Sequence, residues 1–335
     1  MSKRINTFFQ PIPSKKPKQE LAEEECSVTH HPTYPFAIRD LPSSISTPLI
    51  NRDSPEGKHI TNQPHLDLLH FTPFVPAPLS RQLFHFLRRE LPFYRVHYTI
   101  NRGGLSTEVK TPRYTTVFGV DSTSRFAAEW ESTTLLDSAS NQPAPENKYR
   151  VPPRPIPPCL DALRQCVEAA TNRRGHYNFI LVNYYATGDD SIAYHSDDER
   201  FLGAQPTIAS LSLGGTRDFL LKRKSNPPGS ATKVPPPVKF AMASGDMIIM
   251  QGETQAHWLH GLPKRRGPTG GQGRINITFR RAVIPEGTNN YYRYNVGQGE
   301  VYRWCEGREE MVLDRREAGE KTSEEGTEKA DSRPC

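Results

Sequence analysis

Apolar residues recur along the middle of the chain with two different periods. Residues 79–91 have apolar side chains every three or four positions, and the segment directly follows Pro78. This spacing predicts an amphipathic helix with a proline near its first turn. The same spacing returns at residues 157–172 and predicts a second helix.

Most of the remaining ordered segments are short and alternate between apolar and polar residues, which is typical of strands. The predicted strands are 66–71, 94–100, 112–119, 179–185, 207–213, 217–221, 238–242, 246–250, 258–262 and 274–282. Two helices and many short strands predict a mostly β, α+β fold. We expect a double-stranded β-helix, or jelly roll, with two helices packed on one face.

Regular patterns are weak at both ends of the chain. Residues 1–65 contain scattered prolines without sustained periodicity, which predicts a disordered tail. We place the folded domain at 66–285, with a Ser-, Asn- and Pro-rich surface insertion at 122–148. Residues 286–335 are predicted to be a charged and disordered extension.

Composition narrows the class of protein. The 335 residues carry a net charge of +6 at pH 7, which suits a polyanionic partner. No apolar run approaches the roughly 20 residues that cross a bilayer, so no membrane association is expected. Five irregularly spaced cysteines argue against a disulfide framework and favour a reducing compartment.

The first candidate for chemistry is the triplet His195-Ser196-Asp197, which follows the apolar run at 179–185. Residues two apart in a strand point to the same side, so an imidazole and a carboxylate can meet at one point. A second imidazole would complete the facial triad that holds non-haem Fe(II). Downstream, only His257 and His260 are available, and only one of them can point inward.

A second candidate lies at 274–280, RINITFR. Its even positions (Arg274, Asn276, Thr278 and Arg280) are all polar, and its odd positions are all apolar. A solvent-exposed sheet face would explain this pattern, but so would a dicarboxylate site, because arginine binds carboxylates through paired hydrogen bonds. Together with the metal triplet, this strand favours an Fe(II)/2-oxoglutarate oxygenase. A cupin-type metal protein would leave the arginine strand unexplained.

Several longer motifs make the chain similar to a known family. They are NYY at 183–185, HSDDER at 195–200, IASLSLG at 208–214, RDF at 217–219, HWLHGLP at 257–263 and RINITFR at 274–280. They resemble the AlkB family of nucleic-acid dealkylating dioxygenases, and most closely its eukaryotic DNA-repair members. The resemblance covers about residues 66–283.

The resemblance implies a role for each matching residue. It assigns Fe(II) to His195, Asp197 and His260, and leaves His257 a role in packing or in supporting the metal ligands. It assigns 2-oxoglutarate to Asn183, Tyr185, Arg274, Asn276 and Arg280. It places Glu199, Arg223 and Arg113 along the substrate, with Phe118, Tyr149 or Phe126 as candidates to stack on the flipped base.

The activity implied is oxidative dealkylation of DNA bases such as 1-methyladenine and 3-methylcytosine, with Fe(II), 2-oxoglutarate and O₂ as cofactors. An alkylated base must leave the stack to enter a barrel, and a base with blocked pairing leaves most easily. An RNA demethylase and a non-catalytic nucleic-acid-binding module are the alternatives. The basic residues of 222–224 and 264–281 could contact phosphates.

The N-terminal tail holds two short candidate motifs. Ile5, Phe8 and Phe9 have the spacing of peptides that bind the replication sliding clamp, although Ser2 replaces the glutamine of that pattern. The basic cluster at 15–18 is a candidate nuclear import signal. We therefore expect a monomeric nuclear enzyme that repairs DNA in single- or double-stranded form.

Overall fold

The computed structural model describes residues 27–127, 133–225, 235–267, 272–297 and 299–315. The helices are α1 (Ser43–Ile50), α2 (Ala77–Glu90), α3 (Pro158–Thr171), α4 (Thr254–His257) and α5 (Pro285–Asn295). The strands are β1 (Val28–Thr29), β2 (Ile38–Arg39), β3 (Lys58–Ile60), β4 (Leu68–Phe71), β5 (Phe93–Tyr94), β6 (His97–Arg102), β7 (Leu105–Lys110), β8 (Tyr114–Gly119), β9 (Ser124–Phe126), β10 (Leu135–Asp137), β11 (Phe179–Tyr185), β12 (Ile192–His195), β13 (Ile208–Gly214), β14 (Arg217–Arg223), β15 (Val238–Met242), β16 (Met247–Met250), β17 (Trp258–Leu262), β18 (Arg274–Arg280), β19 (Val301–Cys305) and β20 (Glu310–Leu313).

Two antiparallel sheets build the domain. The larger has the strand order β20-β19-β5-β8-β11-β18-β13-β16-β4-β3, and the smaller has the order β12-β17-β14-β15. Consecutive strands β13 and β14 lie in different sheets, so the chain passes from one sheet to the other between them. Two antiparallel sheets over a shared core are the architecture of a jelly roll. The mostly β fold expected from the sequence is therefore present.

The centre of the larger sheet separates apolar from polar side chains by simple alternation. β11 pairs with β18 so that Asn183 lies opposite Asn276 and Tyr185 lies opposite Arg274. Side chains two apart share a face of the sheet. One face therefore carries these four residues, whereas the intervening Tyr184 and Ile275 belong to the apolar core on the other face.

Helices cover that apolar face of the larger sheet. α2 begins after Pro76 and ends at Glu90, with Leu83 and Leu87 fully buried. α3 contributes Leu160 and Leu163 to the same core, and α1 adds two further residues. Burying a leucine side chain contributes roughly 1.5–3 kcal/mol. Helices α2 and α3 lie where the sequence predicted helices, whereas α1 was not predicted.

The other face of the larger sheet packs against the smaller sheet. Leu181 and Ile248 of the larger sheet share a core with Phe219 and Trp258 of the smaller one. This second core does not fill the whole space between the sheets. Toward one end it gives way to the polar side chains of β11 and β18, and a cavity remains there.

Residues 27–60 contradict the prediction of a disordered tail up to residue 65. β1 pairs with β2, α1 buries Ile45 and Leu49, and β3 extends the larger sheet by pairing with β4. Each element is too short for a clear period. Their stability comes from packing against distant residues, which local patterns do not show.

Residues 285–313 likewise contradict the prediction of a disordered extension from 286. α5 stacks Tyr291 on Phe179 with ring centroids 4.3 Å apart. β19 pairs with β5 and β20 pairs with β19, so the chain adds two strands to the larger sheet. Most residues of this segment are polar, so its composition does not reveal the few aromatic side chains that are buried in the fold.

The predicted insertion at 122–148 is tied to the rest of the domain. Its described part contains the antiparallel pair β9 and β10. The Ser122 hydroxyl donates a hydrogen bond to the carbonyl of Val283 at 3.2 Å. At the two flanks of the insertion, the hydroxyls of Tyr149 and Thr288 both donate hydrogen bonds to Oδ2 of Asp121, at 2.8 and 2.7 Å. Among the helices described, none is long and apolar enough to cross a bilayer.

Candidate active site

The cavity between the two sheets has a volume of about 390 Å³. One wall comes from β11, β13 and β18 of the larger sheet, and the other comes from β12, β14 and β17 of the smaller sheet. α5 contributes to the lining as well. Of the residues predicted from the sequence, the cavity is lined by Arg113, Asn183, Tyr185, His195, Asp197, Glu199, His260, Arg274, Asn276 and Arg280.

Three metal-ligating side chains meet on the wall formed by the smaller sheet. His195 lies opposite His260 in the β12–β17 pair, and Asp197 follows two residues after His195. The Nε2 atoms of His195 and His260 lie 4.0 and 3.7 Å from the two carboxylate oxygens of Asp197. Of the two downstream histidines, His260 therefore completes the cluster, and His257 does not.

The three ligand atoms are free to bind a cation. Nδ1 of His195 donates a hydrogen bond to the carbonyl of Ala193 at 2.9 Å, which leaves the Nε2 lone pair unshared. Burial lowers the pKa of His260 to about 3, so its imidazole is neutral at physiological pH. Oδ2 of Asp197 is buried and accepts no well-aligned hydrogen bond among the residues described, although the guanidinium of Arg280 lies beside it.

Asp197 is held from two sides. Its backbone amide donates a hydrogen bond to Oε1 of the buried Gln255 on α4 at 2.9 Å, and Nη2 of Arg280 lies 3.0 Å from its Oδ2. Burial alone would raise the pKa of Asp197, but the positive charge of Arg280 opposes burial, and the pKa is lowered. The carboxylate is therefore ionised in the folded protein.

The arginines of β18 are almost fully buried. Nη2 of Arg274 donates a hydrogen bond to the Ser212 hydroxyl at 2.7 Å, and burial lowers the arginine's pKa to about 10. For Arg280, burial favours the neutral form, but Asp197 outweighs it and raises the pKa. The Nε atoms of both arginines have no hydrogen-bond partner within the part of the chain described. Buried unpaired donors are costly unless a ligand satisfies them.

Polar groups between the two arginines complete this end of the cavity. Oδ1 of Asn183 accepts a hydrogen bond from Nε of Arg113 at 2.9 Å, and Asn276 donates to the Ser210 hydroxyl at 2.8 Å. The guanidinium carbon of Arg274 lies 5.5 Å from the ring centre of Tyr185. These contacts fix the orientation of the side chains before any ligand binds.

This donor set fits the group that the sequence analysis suggested. Two neutral imidazoles and one carboxylate are the usual protein ligands of non-haem Fe(II), with open positions for other ligands. Asp197, Arg274 and Arg280 all line the same cavity, and each has a buried polar atom without a hydrogen-bond partner among the residues described. A cation and a small dicarboxylate would complement the charges of this set.

The structure brings only part of the predicted substrate set to the cavity. Glu199 and Arg113 line it, and burial together with the negative charge of Asp197 raises the pKa of Glu199. Arg223 does not line the cavity. Its Nη1 donates a hydrogen bond to the carbonyl of Pro64 at 3.4 Å.

The aromatic side chains proposed to stack on a base are elsewhere too. Phe118 lies opposite Ile180 in the β8–β11 pair and points into the helix-covered core, where it packs on Tyr34. Tyr149 is bound to Asp121 through its hydroxyl, and the ring of Phe126 contacts His31. Phe118 and Tyr149 therefore do not line the cavity, and the prediction that one of them stacks on the flipped base is wrong.

Two other aromatic residues stand at the cavity instead. Tyr291 and Tyr294 of α5 line it, and the ring of Tyr294 contacts that of Tyr98 on β6 with centroids 6.3 Å apart. Both tyrosines belong to the segment predicted to be disordered. The cluster of tyrosines at 291–294 was the available signal, and its importance depends on packing that the sequence does not show.

The candidate clamp-binding residues Ile5, Phe8 and Phe9, and the basic cluster at 15–18, lie outside the described residues.

Comparison with known families gives one family-level match. The sequence model of the family described as "2OG-Fe(II) oxygenase superfamily" matches residues 68–280.

Individual relatives are similar as well. The chain is 36% identical to "DNA oxidative demethylase ALKBH2" of Homo sapiens over 132 residues, which cover 39% of this chain and 49% of that protein. It is 41% identical to "Alpha-ketoglutarate-dependent dioxygenase alkB homolog 3" of Mus musculus over 131 residues, or 38% of this chain and 44% of that protein. The match thus spans about half the length of these relatives. A longer match, 30% identical over 243 residues, covers 68% of this chain and 70% of "DNA oxidative demethylase ALKBH2" of Arabidopsis thaliana.

Proposed function

Since the chain belongs to the 2OG-Fe(II) oxygenase superfamily, in its AlkB family, we propose that it removes N-alkyl groups from DNA bases by direct oxidation. One observation carries the proposal: the cluster of His195, Asp197 and His260 shares a single cavity with the two buried arginines of β18. The relatives named as DNA oxidative demethylases support DNA as the substrate.

His195, Asp197 and His260 are proposed to hold Fe(II). When bound, the ion with 2-oxoglutarate and O₂ supplies the oxidation that hydroxylates an N-alkyl carbon, after which the product loses an aldehyde. These three residues would hold the ion from the wall of the smaller sheet, and the cavity would leave room for its other ligands. Asp197 supplies the negative charge, and Gln255 and Arg280 fix its position.

Arg274 and Arg280 are proposed to bind the two carboxylates of 2-oxoglutarate. Both are buried, and in a site of low dielectric constant a charged hydrogen bond is stronger than it is in water. Asn183 and Asn276 lie between them, Tyr185 lies opposite Arg274, and these three side chains are proposed to orient the molecule. Because Arg280 also pairs with Asp197, the cosubstrate and metal sites share one charged group.

The open side of the cavity is proposed to receive the flipped base. Tyr294 offers a ring face for stacking, and Glu199 offers a carboxyl group within the same cavity. 1-Methyladenine and 3-methylcytosine are cationic at neutral pH, and a carboxylate attracts them more than it attracts the unmodified neutral bases. Glu199 therefore favours the damaged base over the normal one.

Basic side chains outside the cavity are proposed to contact the phosphate backbone. Lys264, Arg266 and Arg281 are exposed in the segment without acidic residues at 264–281. Arg265 is partly used for structure, since its Nη1 donates to the carbonyl of Thr216 at 3.1 Å. Phosphate contacts provide affinity without sequence preference, which suits repair at any site.

The place of action and the partners belong to the same proposal. Relatives named as DNA oxidative demethylases favour the nucleus, and the basic cluster at 15–18 would serve import. Ile5, Phe8 and Phe9 would bind the replication sliding clamp, bringing a monomeric enzyme to newly copied DNA.

The decisive experiment is a demethylation assay with the full chain, Fe(II) and 2-oxoglutarate in air. Oligonucleotides carry one 1-methyladenine or 3-methylcytosine in single-stranded DNA, duplex DNA or RNA, and mass spectrometry follows the loss of the methyl group. We expect turnover on DNA, coupled to formation of succinate. Preferred turnover on RNA would instead favour the RNA demethylase.

One variant tests the proposed metal site, and a second variant is its matched control. His195→Ala removes a proposed ligand and should abolish turnover while the protein still binds DNA. His59→Ala changes an exposed histidine on β3, outside the cavity, and should keep full activity. A wild-type protein that binds Fe(II), 2-oxoglutarate and DNA but removes no methyl group would contradict the enzymatic proposal and favour a binding module.

A further inference from the structure

A second group of metal-ligating side chains lies on the surface, apart from the candidate active site. Ligand atoms of His65, Glu253 and His257 lie within 4.8 Å of one another. Nδ1 of His65 is 2.6 Å from Oε2 of Glu253, and the rings of His65 and His257 stack with centroids 4.0 Å apart. The proposed dealkylation uses none of the three.

We propose that this surface cluster binds a divalent transition-metal ion, with Zn²⁺ the ion it fits best. Two imidazoles and one carboxylate, with a fourth position left to water, are a frequent set of zinc ligands. Nitrogen and oxygen ligands also bind Zn²⁺ more tightly than Fe(II).

The backbone around His65 holds its imidazole toward α4. His65 has a φ of +58°, a left-handed conformation that residues other than glycine rarely adopt. The carbonyl of the preceding Pro64 accepts hydrogen bonds from Trp258 Nε1 at 3.1 Å and from Arg223 Nη1 at 3.4 Å. This conformation is thus fixed by contacts with β14 and β17.

The other two ligands lie at either end of α4. Glu253 is the residue before the helix begins, and His257 is its last residue. The Thr254 hydroxyl between them bonds both the amide and the carbonyl of Asp67, at 2.9 and 3.0 Å. Residues 64–67 are thereby bound to the helix on the same side as the cluster, so the ligands come together without a large movement.

Metal binding needs only a small change in the side chains. Ligand atoms around tetrahedral zinc, with bonds of about 2.0–2.1 Å, lie about 3.3 Å apart. The hydrogen bond between His65 and Glu253 must therefore lengthen, and the imidazoles must turn out of their stack because their lone pairs lie in the ring planes. The side chains of His65 and Glu253 are 40% and 51% exposed, so both can turn.

The charge state of the cluster favours a cation. The hydrogen bond from His65 and its charge lower the pKa of Glu253. The carboxylate is thus ionised at neutral pH, and a metal ion would replace the shared proton. Without an ion, the exposed pair between His65 and Glu253 contributes little stability.

The position of the cluster gives the ion a structural consequence. It would join residues 64–67 to α4, whose Gln255 binds the backbone of Asp197. β17, which begins directly after His257, carries His260. Zinc would thus stiffen the wall that holds two of the proposed iron ligands without touching either of them.

The test counts the zinc bound to the full chain. Wild-type protein and variants are dialysed against buffered Zn²⁺, and bound metal is measured by mass spectrometry. We expect His65→Ala/His257→Ala to bind one equivalent fewer than wild type, and His59→Ala to bind the same amount as wild type. Because the comparison is by difference, zinc held in the candidate active site cancels. Equal binding by all three proteins would overturn the proposal.

A milder variant guards against misfolding of the double variant. Glu253→Gln keeps the size of an exposed side chain and removes its charge. Added Zn²⁺ should raise the thermal midpoint less in Glu253→Gln than in wild type or His59→Ala. An equal rise in all three, with equal bound zinc, would show that the cluster is only a surface ion pair. Neither result depends on whether the protein demethylates DNA.

Discussion

Nη2 of Arg280 lies 3.0 Å from Oδ2 of Asp197, so a proposed 2-oxoglutarate ligand and a proposed iron ligand form a direct ion pair. Both side chains are buried. Removing one partner of a buried pair leaves the other charge without compensation. The pair therefore couples the stability of the fold to the two proposed binding sites.

Arg280→Met should destabilise the metal-free protein by about 3–5 kcal/mol, because Met keeps the length of the side chain but leaves the Asp197 carboxylate buried and unpaired. Urea unfolding followed by circular dichroism measures the change. Asp197→Asn in the same background should restore part of the loss, with a coupling of about 0.5–3 kcal/mol. Strictly additive effects would show that the two side chains do not interact.

Gln255→Leu should weaken Fe(II) binding about 10- to 100-fold, the usual effect of removing a group that positions a metal ligand. The backbone amide of Asp197 would lose its acceptor, and the carboxylate would lose its fixed direction. An anaerobic Fe(II) titration measures the affinity. Ala256→Ser, at the exposed neighbouring position, is the control and should bind like wild type. Unchanged affinity in Gln255→Leu would mean that Arg280 alone fixes Asp197.

Tyr294→Ala should raise the KM for a methylated oligonucleotide, because base stacking on an aromatic ring contributes about 1–3 kcal/mol, or roughly 5- to 150-fold in affinity. The side chain is 47% exposed and packs mainly on Tyr98, so the fold should tolerate its loss. Phe126→Ala, whose ring lies against His31, should keep the wild-type KM. The opposite order of effects would restore Phe126 as the stacking residue.

Gly245→Ala should lower the free energy of unfolding by about 1–3 kcal/mol from overpacking, in addition to backbone strain. Gly245 has a φ of +94°, and a Cβ there would lie 2.0 Å from the carbonyl oxygen of Val75. Gly175 has a φ of +68° with nothing within 4 Å of such a Cβ, so Gly175→Ala reports the strain alone. Equal losses in the two variants would mean that the backbone at Gly245 moves away.

The β18 strand shows why much of the site was predictable. Alternation in 274–280 is enough to place Arg274 and Arg280 on one face, and β18 pairs on both sides with β11 and β13. A strand in the middle of a sheet that is covered on both faces cannot turn its arginines to solvent. The polar pattern therefore indicated a ligand site.

Phe118 shows where the same reasoning stops. Alternation divides a strand into two faces but does not say which face lines the cavity. That depends on the register with a neighbouring strand, and Phe118 lies opposite Ile180, on the side of the helices. Tyr294 was missed for a related reason, because α5 is ordered by packing against residues more than a hundred positions away.

The larger sheet begins and ends with strands from outside the span that carries the recognisable motifs. β3 covers β4 at one edge, and β19 and β20 cover β5 at the other. A fragment cut to residues 66–285 would retain every proposed iron and 2-oxoglutarate ligand, yet it would expose unpaired strand edges that invite self-association. It would also lack Tyr291 and Tyr294, which line the cavity from α5. The smallest unit that can be produced, crystallised or transplanted is therefore set by the flanking strands and α5, and not by the motifs.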